Sequence, residues 1–175
     1  MPAQSGLQYD VAVKIPKNDP RAAYMSSNTM VNLEELRKFV ADKHHWVLST
    51  TRTDGRPQMS LVTGGMTSAG RLAVSTYPER AKAKNTRRNP NVSVGVMGAD
   101  FGSAWIQIDG TAQVFDMPDA AEVFIEYYRS ISGEHPDWDE YVQAMRDQGK
   151  CIILIEPTRW SPVSKGGFPP SLFED

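Results

Sequence analysis

Trp46-Val47-Leu48-Ser49-Thr50-Thr51-Arg52, Thr53-Asp54-Gly55-Arg56 and Pro57-Gln58-Met59-Ser60-Leu61-Val62-Thr63-Gly64-Gly65 follow one another without a break, and this stretch decides the fold. The outer segments are rich in β-branched and other strand-forming residues, and Asp54-Gly55 between them is a strong tight-turn signal. A turn that short can only join antiparallel neighbours. The closing Gly64-Gly65 pair predicts a bulge or a further turn.

The same pattern continues downstream. Ala69-Gly70 turns the chain, and Arg71–Tyr77 is a strand with Leu72, Val74 and Thr76 on one face. Asn91–Met97 places Val92, Val94 and Val96 on one side. Trp105–Phe115 keeps Ile106, Ile108, Ala112 and Val114 in one parity through Gly110, where a bend is tolerated. Lys150–Glu156 is continuously apolar and should be a central strand.

Helical periodicity fills the gaps. Asn32 with Glu35 three residues on is a capping-box signature, and Leu33, Leu36, Phe39 and Val40 fall on one face of a helix that should end near Lys43 or His44. A cation at that end would favour the helix dipole, which suits His44-His45. Pro78 can open a short helix that stops before Pro90. Pro118–Ser132 buries Ala120, Val123, Phe124, Tyr127 and Ile131, and Pro136–Asp147 buries Trp138, Tyr141, Val142 and Met145. Consecutive antiparallel strands with few helices favour closure, which removes exposed edges. The fold class expected is α+β, mainly β: a six- to seven-stranded antiparallel barrel with peripheral helices. Residues 1–31, polar and carrying Pro2, Pro16 and Pro20, form an N-terminal arm on the surface or on a partner subunit. Residues 32–160 form the domain, and 161–175 a Pro/Gly-rich tail.

Composition narrows function. A net charge of −2 gives no global pull toward nucleic acid or an anionic membrane, so any basic site must be local. The N-terminus lacks the apolar core of a signal peptide, and no apolar run approaches the roughly 20 residues of a membrane helix. One cysteine, Cys151, excludes an intramolecular disulfide and a cysteine-cluster zinc site. His44, His45 and His135 are too few and too badly spaced for a metal centre, so none is expected. A reducing cytoplasm is the natural setting.

The informative chemistry lies in Ser75-Thr76-Tyr77-Pro78-Glu79-Arg80-Ala81-Lys82-Ala83-Lys84-Asn85-Thr86-Arg87-Arg88-Asn89-Pro90. A strand ends in hydroxyls and a helix begins, with Arg80 and Lys82 in its early turns. Free N–H groups and the positive dipole end suit a phosphate, and Arg and Lys add charge and bidentate donors. The five cations from Arg80 to Arg88 are uninterrupted by any acid. By residue type alone they form either an anion site or a solvated face. Lys84, Arg87 and Arg88 fit plain solubility, or contact with an acidic cofactor tail.

The run Arg80–Pro90 resembles a segment of the pyridoxamine 5'-phosphate oxidase-like split β-barrel superfamily. Within it the chain looks most like the actinobacterial branch that uses the deazaflavin F420. Asp54-Gly55-Arg56-Pro57-Gln58 resembles that branch's first hairpin, Asp109-Gly110-Thr111-Ala112 its late-strand signature, and Gly133-Glu134-His135-Pro136-Asp137-Trp138-Asp139-Glu140-Tyr141 its helix connection. The likeness spans about Val31–Trp160. Thr86 departs from it, since the family usually has leucine there, and the N-terminal arm and Lys165–Pro170 are longer than in the shortest relatives.

The resemblance implies a homodimer with two sites at the subunit interface. Arg80 and Lys82 would contact the phosphate. Gln58, Met59, Ser60 and Leu61 would run beside the ring, Ser75 and Thr76 would line the strand before the helix, and Trp105 would come from the partner. It implies an oxidoreductase passing a hydride from reduced F420 to an unsaturated organic acceptor, such as a quinone, an enone or a tetrapyrrole-like molecule. An FMN-dependent oxidase or reductase on the same fold is the alternative. A non-catalytic cofactor- or small-ligand-binding protein is a second. Because the cofactor carries the chemistry, a missing triad is expected, and no catalytic residue is assigned. Trp46, Trp138 and Cys151 have the pattern of core residues, and His135 that of a helix-entry residue. Lys82→Ala should weaken cofactor binding more than Arg88→Ala.

Overall fold

The computed structural model describes residues 14–100 and 102–174. Its strands are β1 (Ser27–Thr29), β2 (His45–Thr51), β3 (Pro57–Met66), β4 (Leu72–Thr76), β5 (Asn91–Met97), β6 (Trp105–Asp116), β7 (Cys151–Trp160) and β8 (Val163–Lys165). The α-helices are α1 (Leu33–Val40), α2 (Ala81–Arg88), α3 (Ala121–Ser132) and α4 (Trp138–Asp147). The sheet runs β1-β8-β6-β5-β2-β3-β4-β7, and β7 also pairs with β6. That last pairing closes six antiparallel strands into a barrel and leaves β1 and β8 as an extension.

The period-2 pattern sorts residues between two cores. Trp46, Leu48, Val74, Val94, Ile106, Ile108, Ile153 and Ile155 fill the barrel. Ala73, Ile152 and Leu154 point the other way, beneath Phe124 and Tyr127 of α3 and Tyr141 and Met145 of α4. Strand β7 is therefore buried on both faces, which explains its continuous apolar run. Cys151 lies in it fully buried, and desolvation pushes its thiol up to about 11.

Several local expectations need correction. Helix α1 has the predicted capping box, with Glu35 N–H donating to Asn32 Oδ1 (3.0 Å) and Asn32 N–H to Glu35 Oε2 (2.8 Å). It nevertheless ends at Val40, so His44 and His45 do not terminate it. His45 opens β2, and His44 Nδ1 lies 2.9 Å from the Gly64 carbonyl. Gly64-Gly65 makes no bulge; the pair stays within β3. A Cβ on Gly64 would stand 1.8 Å from the Trp46 ring, so close packing is what requires glycine there. The bulge lies instead at Asp109/Gly110, where β6 and β7 shift register. Across that shift β7 runs on past Pro157 to Trp160, beyond the predicted end at Glu156. The first hairpin does turn at Asp54-Gly55, as expected. Arg52 N–H meets the Arg56 carbonyl, Gly55 N–H meets the Arg52 carbonyl, and Gly55 has φ 81°. This is a three-residue loop closed by a left-handed glycine.

Of the arm predicted over 1–31, residues 1–13 lie outside the described residues. Residues 14–31 run beside the C-terminal tail of the same chain. Ile15 N–H donates to the Leu172 carbonyl, Ser26 N–H to the Phe168 carbonyl, and β1 pairs with β8. Among the described residues no helix is long and apolar enough to cross a membrane.

Candidate functional site

The barrel is split at one seam. Strands β3 and β4 pair only through Gly64–Met66 and Leu72–Val74. Before Gly64, the second edge of β3 has no strand partner among the described residues, and neither do Ser75 and Thr76 on that side of β4. Tyr127 of α3 bridges the point of divergence. Its hydroxyl donates to the Thr63 carbonyl at 3.1 Å, and α3 packs on both β3 and β4. An unpaired strand edge carries free N–H and C=O groups. The residues predicted beside the ring and before the helix thus lie on the two lips of one gap.

Helix α2 stands at that gap. Pro78 does not open it. Arg80 N–H bonds back to the Tyr77 carbonyl, so Pro78 sits at the second position of a turn, which its fixed φ suits. Arg80 becomes the extended N-cap and makes no side-chain cap bond, so the first helical amides are left open. Lys82 follows, half-buried. Desolvation, and then the nearby Arg80 charge, lower its pKa. Among the described residues neither Arg80 nor Lys82 joins an ion pair. A cation taken partly out of water beside another cation is costly unless an anion joins them.

The remaining cations of the segment divide differently from expectation. Arg87 grips Asp116 at 2.7 and 2.8 Å. Arg88, though exposed, donates to the Thr51 carbonyl (2.7 Å) and to Asn85 Oδ1 (2.9 Å). Lys84 is exposed as well and joins no ion pair among the described residues. One cation was missed from sequence: Lys150, whose Nζ lies 5.6 Å from the Tyr77 ring centroid, beside the strand end that carries Thr76. Asn85 and Thr50, both buried, were missed as well, and Asn85 Nδ2 donates to Thr50 Oγ1 at 3.0 Å. A helix without an apolar stripe that must still pack on a barrel was the available clue.

The four β3 residues separate by parity. Gln58 and Ser60 face inward beside Thr50, whereas Met59 and Leu61 face out and are 68% and 83% exposed. Trp105, 41% exposed, shares the outer face with Met59. Both line a hollow of about 250 Å³ with Val47, Gly95 and Met97. A larger hollow of about 650 Å³ adjoins it, lined by His45, Met97, Trp105 and Gly166. Within one chain Trp105 is therefore on a different face from Gln58, Ser60 and Lys82.

Farther along the outer face, Asp109 organises a polar patch. It accepts from Ser93 Oγ (2.7 Å), Gln107 Nε2 (2.9 Å) and Arg159 Nη2 (2.8 Å). The Gln107 amide foremost, with Ser93 and Arg159, holds its carboxyl below the usual carboxylate range. A depressed folded pKa stabilises the fold fully above the unfolded value of about 3.9, and that stabilisation is lost as pH falls through the folded value. Asp109→Asn should therefore lower the melting temperature at pH 7, and the gap to wild type should close as melts are taken down toward the folded pKa. Among the described residues no group of three His, Cys, Asp or Glu side chains is placed to hold a metal.

The family described as Pyridoxamine 5'-phosphate oxidase matches residues 33–164. Among solved structures, the chain is similar to the conserved hypothetical protein Rv2991 from Mycobacterium tuberculosis, at 21% identity and TM-score 0.66, covering 80% of this chain and 88% of that one. It is also similar to an F420 reductase, at 20% identity and TM-score 0.53, covering 71% and 94%. A heme binding protein from Mycobacterium smegmatis matches at 18% identity and TM-score 0.59, covering 79% of this chain and 57% of that one. At these identities the structural likeness speaks for the fold.

Proposed function

The chain belongs to the pyridoxamine 5'-phosphate oxidase family, and on that premise we propose that it is an F420-dependent oxidoreductase acting on an unsaturated organic acceptor. The observation that carries this reading is the half-buried, unpaired Lys82 beside Arg80 at the mouth of the split. These residues fit a phosphate, and the free edge of β3 fits the polar rim of a planar ring. Arg80, Lys82 and the open amides of α2 would hold the phosphate, with Ser75, Thr76 and Lys150 around it. Gln58 and Ser60 would line the ring. When bound, the deazaflavin supplies the hydride chemistry, and the protein's share is position, electrostatics and exclusion of water. FMN is the second reading, since its phosphate ester makes the same demand on Arg80 and Lys82.

The proposal includes a homodimer. Met59, Leu61 and Trp105 expose apolar surface on one face of the barrel, and association would bring Trp105 of one subunit toward the other's cofactor. Leu61→Asp should shift the sedimenting species from dimer to monomer; an unchanged mass would place the interface elsewhere. A reducing, cytoplasmic setting is part of the same reading and rests on the single cysteine. Turnover tests the oxidoreductase claim. Reduced F420 mixed anaerobically with quinones, enones and tetrapyrroles should be reoxidised by the protein with at least one acceptor. Tight binding without reoxidation across the panel would leave a cofactor carrier.

A further inference from the structure

A directed chain of hydrogen bonds runs from α2 to the inner side of β3, and its polarity can be assigned atom by atom. Arg88 can only donate, so the Asn85 oxygen 2.9 Å from it must be Oδ1, and the Asn85 amide then donates to Thr50 Oγ1 at 3.0 Å. A hydroxyl has one proton. Thr50, having accepted from Asn85, spends its proton on Gln58 Oε1 at 3.0 Å. Gln58 Nε2 donates to the Met59 carbonyl (2.7 Å) and to Ser60 Oγ (2.8 Å). The two ends fix the direction independently, because a guanidinium cannot accept and a carbonyl cannot donate.

The chain ends on Ser60. Among the described residues Ser60 Oγ makes one hydrogen bond, and in it the oxygen accepts. Its own proton is left over, on a half-buried side chain of the strand whose second edge is unpaired. We propose that Ser60 is a hydrogen-bond donor to the bound ligand, with its proton turned out of the protein by the Arg88–Asn85–Thr50–Gln58 chain. The ligand must present an acceptor there, a carbonyl oxygen or an unprotonated ring nitrogen. Gln58 and Asn85 are positioning residues that act through Ser60. This inference rests on the reading of the split as a flavin or deazaflavin site.

The test uses the full chain with FMN and with F420, reading dissociation constant and the absorption band of the bound cofactor. Ser60→Ala should weaken binding about three- to tenfold, the worth of one neutral hydrogen bond, and move the band toward that of free cofactor. Ser60→Thr keeps the hydroxyl and should retain both. Gln58→Glu preserves shape but cannot donate, so Ser60 must turn its proton onto Glu and stop serving the ligand; the loss should match Ser60→Ala. The double variant should be no worse than either single one. If Gln58→Glu does not fold, the Ala/Thr pair at Ser60 decides alone. Wild-type binding with unchanged affinity and band in Ser60→Ala overturns this inference only. A wild-type chain that binds neither cofactor overturns it together with the reading beneath it.

Discussion

Lys82→Ala is expected to weaken binding of a phosphate-bearing cofactor by roughly ten- to a hundredfold, the range for losing a hydrogen bond to a charged group. The size follows from the state of Lys82 without a ligand. Its ammonium is half-buried, its pKa is lowered by desolvation and then by Arg80, and it has no ion pair among the described residues. A phosphate anion offsets both, so the gain on binding is larger than at an exposed lysine. Lys84→Ala, on the same helix but exposed, is the matched control and should change affinity by less than about threefold. Arg88→Ala should affect affinity less than Lys82→Ala, but it also cuts bonds to Thr51 and Asn85 and will cost stability. Equal losses for Lys82 and Lys84 would mean a diffuse field with no defined phosphate site.

Gly64→Ala should destabilise the fold by on the order of 3 kcal/mol. For a chain of this size that is a fall in Tm of roughly 6–12 °C in a thermal melt. The added methyl would fall 1.8 Å from a carbon of the Trp46 ring. That ring cannot swing away. It is 1% exposed in the barrel core, and its Nε1 donates to the Lys43 carbonyl at 2.6 Å. Strand β3 also carries the unpaired edge of the site, so displacement at Gly64 should loosen Gln58 and Ser60 as well. Pairing Gly64→Ala with Trp46→Leu should cost less than the sum of the single changes, because the smaller side chain frees the space. A fully additive pair would show that the ring is not what excludes the methyl.

The barrel was legible because it is written in alternation. Val92, Val94 and Val96 needed only period 2 to be placed in the core, and the apolar run of β7 announced a strand covered on both faces. Boundaries set by tertiary partners were not. The predicted strand ends at Glu156, yet β7 continues through Pro157 because the register shifts at Thr158, opposite Asp109 and Gly110. Gly64-Gly65 reads as a bulge or a turn, and only the Trp46 ring shows what the glycine is for. At the site, the cluster of cations was visible but its sorting was not. Arg87 is taken by Asp116 and Arg88 by Asn85 and Thr51, through contacts with residues 29 and 37 positions away. Lys150 and Tyr127 reach the split from other elements and leave no mark on a local pattern. The parity of β3, with Gln58 and Ser60 in and Met59 and Leu61 out, could have been taken from alternation alone. It sends their side chains to opposite faces of the sheet.

Direct titration of the purified protein with F420 and, separately, with FMN, followed by fluorescence or absorbance, tests the central claim. Saturable binding of F420, weakened by Lys82→Ala and not by Lys84→Ala, is the result expected. No F420 binding at tens of micromolar alongside tight FMN binding would contradict it.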